Sequence, residues 1–171
     1  MSYLILFIII IFFILFIIGI AIILSFYGES LEKSALEGNF FLRSLGNPFD
    51  IVTYMFNNSE GKILSINDST QSCDNFSWSL NNKKIESKAG KGGGVIYVSS
   101  SVTNGPVSIG NPGSTDLSDW QYDFNSQSFC LVGSSRCLYN NNGVVEIKDF
   151  GIGEIGFGWV PESKTTDKIC S

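Results

Sequence analysis

Histidine does not occur in the 171 residues, and that limits the chemistry the side chains can perform. Without imidazole there is no Ser-His or Cys-His nucleophilic pair, the commonest general base is gone, and most zinc sites go with it. Carboxylates remain. Glu154 lies in the glycine-rich run "GIGEIGFG", and Asp116 and Asp119 sit in the loop "STDLSD" ahead of Trp120. Such groups serve as a glycosidase-like acid and base only when two of them share one cleft. The same loop offers the oxygen ligands that calcium takes. Nothing in the spacing singles these carboxylates out, and they read as solvated turn and strand charges. The expectation is a protein that is not an enzyme and that holds no metal and no cofactor.

Two glycine-rich stretches imitate nucleotide motifs. "GIGEIG", Gly151 to Gly156, matches G-x-G-x-x-G, but that motif needs a strand before it and a helix opening within it. Here the glycines continue toward "FGWV" as a strand, which reads as a strand that lets a ring, a neighbour or another subunit come close. "AGKGGG" lacks the spacing of a phosphate loop and reads as a flexible connection. Acidic residues outnumber basic ones, 16 to 11, so no basic field awaits a phosphate backbone and nucleic acid is not an expected partner.

The four cysteines, Cys73, Cys130, Cys137 and Cys170, include no CxxC pair. Three pairings are open to them, and four buried free thiols are the alternative. "FCLVGSSRCLY" reads as a hairpin turning at Gly133 to Ser135, which places Cys130 opposite Cys137 and leaves Cys73 for Cys170. An even count in an Asn- and Ser-rich domain behind an apolar helix points to disulfides and an oxidising compartment. Three Asn-x-Ser sequons begin at Asn57, Asn67 and Asn75 and are the candidate glycosylation sites if the domain is extracellular.

These residues must be positioned by two very different regions. From Tyr3 to Phe26 there is no charge, no proline and a single glycine, Gly19. A run of that length crosses the roughly 30 Å hydrocarbon core as a helix, its backbone groups satisfied internally. A basic n-region, a short apolar core and a small-x-small cleavage site are lacking, so the expectation is a retained helix rather than a removed signal. From Leu24 onward, Leu24, Gly28, Leu31, Ala35, Gly38, Leu42 and Leu45 recur at alternating four- and three-residue spacings. Gly46, Asn47 and Pro48 then supply a stop. One helix from Tyr3 to Leu45 would be about 65 Å long. The small residues on its stripe let another backbone approach; the competing reading is that the amphipathic half packs on its own β domain.

After Pro48 the pattern alternates in short runs. "DIVTYMF", "KILSI", "NFSWSL", "KKIES", "GGVIYVSSSV", "PVSI", "WQYDF", "SFCLV", "RCLY", "GVVEIKDF" and "GEIGFGWV" are candidate strands separated by turns such as "NNSEG" and "NNNG". In "NFSWSL", Phe76, Trp78 and Leu80 alternate with Ser77 and Ser79, implying one buried face. The expected fold class is α+β: a long N-terminal hydrophobic and amphipathic helix, residues 1–46, followed by an all-β antiparallel, sandwich-like domain, residues 47–171. The basic residues nearest the helix, Lys33 and Arg43, follow it and argue weakly for a cytoplasmic domain. The cysteines argue for an extracellular one and carry more weight, because Lys33 and Arg43 stand among Glu29, Glu32 and Glu37.

An apolar N-terminal helix running into an amphipathic half and then a cysteine-bearing β domain resembles the type IV pilins and pilin-like proteins, archaeal forms included. The resemblance covers the layout and the first 46 or so residues. It implies a helix that sits in membrane lipid before assembly and then packs with sister helices in a filament core, displaying the β domain outside the cell. The partners it implies are membrane lipid, further copies of the chain and other pilin-like subunits. The alternative is a single-pass membrane protein whose extracellular β domain acts as a binding module or as an accessory subunit of a membrane complex.

Overall fold

The helix is shorter than the stripe suggests. The computed structural model describes residues 2–46, 52–58, 60, 62–68, 70–89 and 92–163, with the side chains at 2–6, 29, 31 and 32 outside that description. In it, α1 spans Ser2–Leu36. Glu37 N donates to Ser34 O and Gly38 N to Ala35 O, tightening the last turn, and the chain enters β1, Asn39–Ser44. The expected helix to Leu45 is therefore corrected: Gly38 ends it, and Leu42 belongs to a strand. The boundary at 46 moves with it, because β1 lies inside the sheet.

The reason is burial on both sides. In "NFFLRS" three apolar residues run together, and Phe40, Phe41 and Leu42 are all at most 1% exposed. Phe40 and Leu42 enter the main core, while Phe41 enters a second cluster with Tyr54, Phe56 and Phe76. A helix can offer this segment one face; a central strand offers two, and the tertiary environment overrides the local period.

The remaining strands are β2 (Thr53–Asn57), β3 (Ile63–Ile66), β4 (Trp78–Asn81), β5 (Lys84–Ser87), β6 (Val95–Ser99), β7 (Gly105–Pro106), β8 (Ser108–Gly110), β9 (Asp116–Leu117), β10 (Trp120–Asp123), β11 (Ser128–Leu131), β12 (Arg136–Asn141), β13 (Val144–Asp149) and β14 (Trp159–Ser163). They form one sheet in the order β10-β11-β12-β13-β3-β2-β1-β4-β5-β6-β8, with β14 on β1, β7 on β13 and β9 on β6. The fold class is α+β with a mostly β C-terminal domain. The sheet curls so that β10, at one end of the order, meets the β4–β5 turn, where Trp120 N donates to Lys83 O at 2.7 Å. Turn chemistry sets several registers. Asn142 and Gly143, at φ 50° and 93°, adopt the left-handed conformations that a two-residue hairpin between β12 and β13 requires.

All three tryptophans are fully buried inside the curl, and each indole N–H has a backbone acceptor. Trp78 donates to Met55 O at 3.0 Å, Trp120 to Ile96 O at 3.0 Å and Trp159 to Leu138 O at 3.1 Å. Each ring thus adds a large apolar area without leaving a polar atom unpaired. "NFSWSL" departs from its expected single face. Cys73–Phe76 is a short 3-10 turn, Phe76 packs in the second cluster, Trp78 in the main one, and Ser77 and Ser79 are buried as well.

Candidate membrane anchor and displayed surface

Between Phe7 and Tyr27, Gly19 is half-buried and every other side chain is exposed, including Phe12 at 70% and Ile23 at 68%. Residues Phe7–Leu36 form one candidate membrane-spanning helix of 30 residues, about 45 Å long at 1.5 Å per residue. The exposed, uncharged surface from Phe7 to Tyr27 is far larger than the apolar patches soluble proteins leave in water. Its length and apolarity are consistent with a single-pass membrane helix, and an N-terminal signal sequence shares those two properties.

The stripe meets several environments. Leu24 is 64% exposed and Gly28 half-buried, with open space where a Cβ would stand. The side chain of Leu31 lies outside the described residues. Ala35 is buried and Leu36 packs on the main core, so the last turn of α1 seats on the domain. Among the described side chains, packing of the helix on its own β domain is thus confined to this end. Gly38 is exposed in the turn, Leu42 is in the core, and Leu45, 40% exposed, follows β1.

Beyond the junction, Arg43 on β1 pairs with Glu162 on β14, and Tyr54 OH on β2 donates to the other carboxylate oxygen of Glu162 at 2.9 Å. Three strands are tied by this cluster. Burial, then the hydrogen bond to Glu162 and that carboxylate's charge, push the Tyr54 phenol up to about 12, with Arg43 opposing.

Of the three carboxylates considered from sequence, two share one cavity and the third lies apart. Asp116 and Asp119 line a shallow cavity of about 260 Å³ with Lys84, Ser118 and Ser134, whereas Glu154 lines another of about 330 Å³ with Leu45, Phe150 and Phe157. Each is already engaged. Asp116 accepts from Gly113 N at 2.7 Å, Asp119 pairs with Lys84, and Glu154 pairs with Lys148. The Lys84 hydrogen bond holds the Asp119 carboxyl below its ordinary range, and Glu154 raises Lys148. Among the described residues no three metal-ligating side chains come together.

"GIGEIGFG" is a turn and a 3-10 segment rather than a strand; the strand begins at Trp159. The expected close approach does occur there. A Cβ on Gly156 would collide with the Tyr139 ring, which also packs on Phe157 with centroids 4.9 Å apart. In "AGKGGG", residues 90 and 91 are outside the described set, and a Cβ on Gly94 would stand 2.6 Å from Gly110 Cα.

Cys130 and Cys137 are bonded across β11 and β12, with Cα atoms 3.9 Å apart, as the hairpin reading expects. Cys73 is also disulfide-bonded. Its expected partner, Cys170, lies outside the described residues. The sequons differ in kind. Asn67 is exposed and Asn75 half-buried. Asn57 is fully buried, with Nδ2 donating to Ser87 Oγ at 3.0 Å and Gly92 O at 2.9 Å. A glycan on Asn57 is incompatible with this fold, which corrects that expectation; alternation in β2 gave no warning, because all its residues are buried.

Comparison with known proteins finds no matching family model and no matching curated protein. The class the geometry itself defines is an N-terminal apolar helix joined to a disulfide-bonded β domain, a layout compatible with a membrane-anchored β domain.

Proposed function

We propose that this chain is a single-pass membrane protein that holds its β domain on the outer side of the membrane as a binding or accessory module. The observation that carries the reading is the run of exposed apolar side chains from Phe7 to Tyr27 on a helix whose far end, Ala35 and Leu36, seats on the domain. Lipid supplies the medium that the helix lacks, and the Gly28 to Leu36 segment, about 13 Å at 1.5 Å per residue, keeps the domain close to the bilayer. The Cys130–Cys137 bond supports the outer side, since disulfides persist in oxidising compartments.

A pilin-like subunit is the second reading. What favours it is the open space over Gly19 and Gly28, where a neighbouring helix has room to approach. Shearing cells and imaging the released material separates the two: filaments containing this chain support assembly, and their loss on Gly28→Leu ties assembly to the helix. Orientation is tested by treating intact cells with a membrane-impermeant amine reagent. The exposed Lys62 and Lys83 should react before permeabilisation. Labelling only after permeabilisation overturns the outer-side reading.

A further inference from the structure

Four of the large apolar side chains that the described β domain leaves exposed gather at one surface. Leu45, Phe150 and Ile155 line the cavity of about 330 Å³ whose inner wall is the buried Phe157, and Ile152 stands on its rim between the lining residues Gly151 and Gly153. Glu154 N donates to Gly151 O at 3.2 Å and closes a four-residue turn, in which Gly153, at φ 88°, takes the left-handed third position. The turn thrusts Ile152 outward. It is 98% exposed, and Ile155 is 62% exposed, so neither completes its burial within its own domain. Little of the chain's net charge of −5 falls here. Glu154 pairs with Lys148 at 2.5 Å, and Asp149, beside Phe150, accepts from Ser135 Oγ at 2.8 Å. The surface also lies away from the seat of α1, because the six residues of β1, about 20 Å at 3.3 Å per residue, separate Leu45 from the turn that follows the helix.

We propose that this surface is a contact between two copies of the chain, in which Ile152 of each copy enters the cavity of the other. A protruding side chain beside an apolar recess is self-complementary, and a two-fold contact needs one patch that serves both sides. A flat lipid surface would take up Ile152 and leave the recess unfilled; a second copy fills the recess and covers the protrusion together. The near-neutral rim lets two acidic chains meet here with little repulsion. Four side chains fall short of the roughly 800 Å² per partner of a standard interface. The contact is therefore weak between free molecules and fills when anchors hold many copies in one membrane, a step that rests on the single-pass reading.

The test mixes the full chain carrying Ile152→Cys with heavy-isotope wild type in phosphatidylcholine vesicles at high protein density. A thiol-reactive benzophenone is attached at position 152 and photolysed; no free cysteine among the described residues competes for it. Light–heavy adducts are expected on the heavy peptides that carry Leu45 or Phe150 to Phe157. Heavy Ile152→Asp in place of wild type should lower their yield at least fivefold, since one protrusion is lost. The same probe on Ser100→Cys, in the exposed turn after β6, should give at least tenfold less. Gly28→Leu in both copies should leave the yield unchanged, which separates the contact from helix packing. Adducts within one copy only, equal yields from positions 152 and 100, indifference to Ile152→Asp, loss on Gly28→Leu, or no adduct in chain that alkaline carbonate leaves in the vesicles overturns the contact and spares the anchor. Chain that carbonate releases overturns the anchored reading instead, and the adducts measured on the released chain decide the contact by the same criteria.

Discussion

Leu24 on α1 and Leu42 on β1 are chemically identical and meet opposite surroundings: the first is 64% exposed, the second 0%. The contrast extends to the regions around them. On α1 the backbone satisfies its own hydrogen bonds, so side chains can point outward in every direction, and in the proposed reading an apolar medium outside the chain completes its stability. The β domain completes its stability internally, with three tryptophans sealed and each indole paired to a carbonyl. One chain therefore carries two answers to apolar burial, and they meet at Ala35 and Leu36. A substitution in one region should leave the stability of the other almost unchanged.

The largest effect that would break this division is in the core. Trp120→Ala removes a fully buried ring and its indole hydrogen bond to Ile96 O, and should lower domain stability by about 3–5 kcal/mol in denaturant unfolding of the full chain in detergent. A loss below 1 kcal/mol would mean that the curled sheet does not close on Trp120.

The two leucines give a paired test of slightly smaller size. Leu42→Ala should cost about 2–5 kcal/mol of domain stability, whereas Leu24→Ala should leave the midpoint where it was. Equal effects would erase the distinction between the regions. Replacing Cys130 and Cys137 by Ser frees a short hairpin and should cost about 2 kcal/mol, seen as a lower denaturant midpoint. An unchanged midpoint would show that hairpin packing alone sets that register.

The smallest effect is a pH dependence. The folded Tyr54 phenol titrates at about 12, against about 10 for an unperturbed tyrosine. The folded state binds that proton more tightly, so the contribution is present in full below about pH 10 and is lost as pH rises toward 12. The stability difference between the wild type and Tyr54→Phe should shrink across that window. A constant difference would detach Tyr54 from the Arg43–Glu162 pair.

Much of this division was legible from residue order. The uncharged run to Phe26 announced the helix, and alternation located most strands. The hairpin around Gly133 announced the Cys130–Cys137 bond. The segment Asn39–Ser44 was not legible, because Leu42 continues the three- and four-residue spacing while Phe40, Phe41 and Leu42 run together with no period of two, and only the two clusters flanking them select the strand. Asn57 was misread for a related reason: a sequon describes local sequence, while Ser87 and Gly92, which take its amide hydrogens, lie far along the chain. The pairing of β9 with β6 was likewise hidden, its two residues being too few to show a period.

The central claim is that α1 depends on lipid while the β domain does not, and paired lysines at the middle of the helix test it most directly. Phe16→Lys with Ile17→Lys places two charges where each costs about 2.5–3.5 kcal/mol on insertion. After alkaline carbonate extraction, the wild type should stay with the membranes at its full-length mass. The double variant should pass to the soluble fraction with Cys130–Cys137 still oxidised and the domain still resistant to protease. A wild-type chain that is released by carbonate, or that has lost its helix by cleavage, would contradict the account.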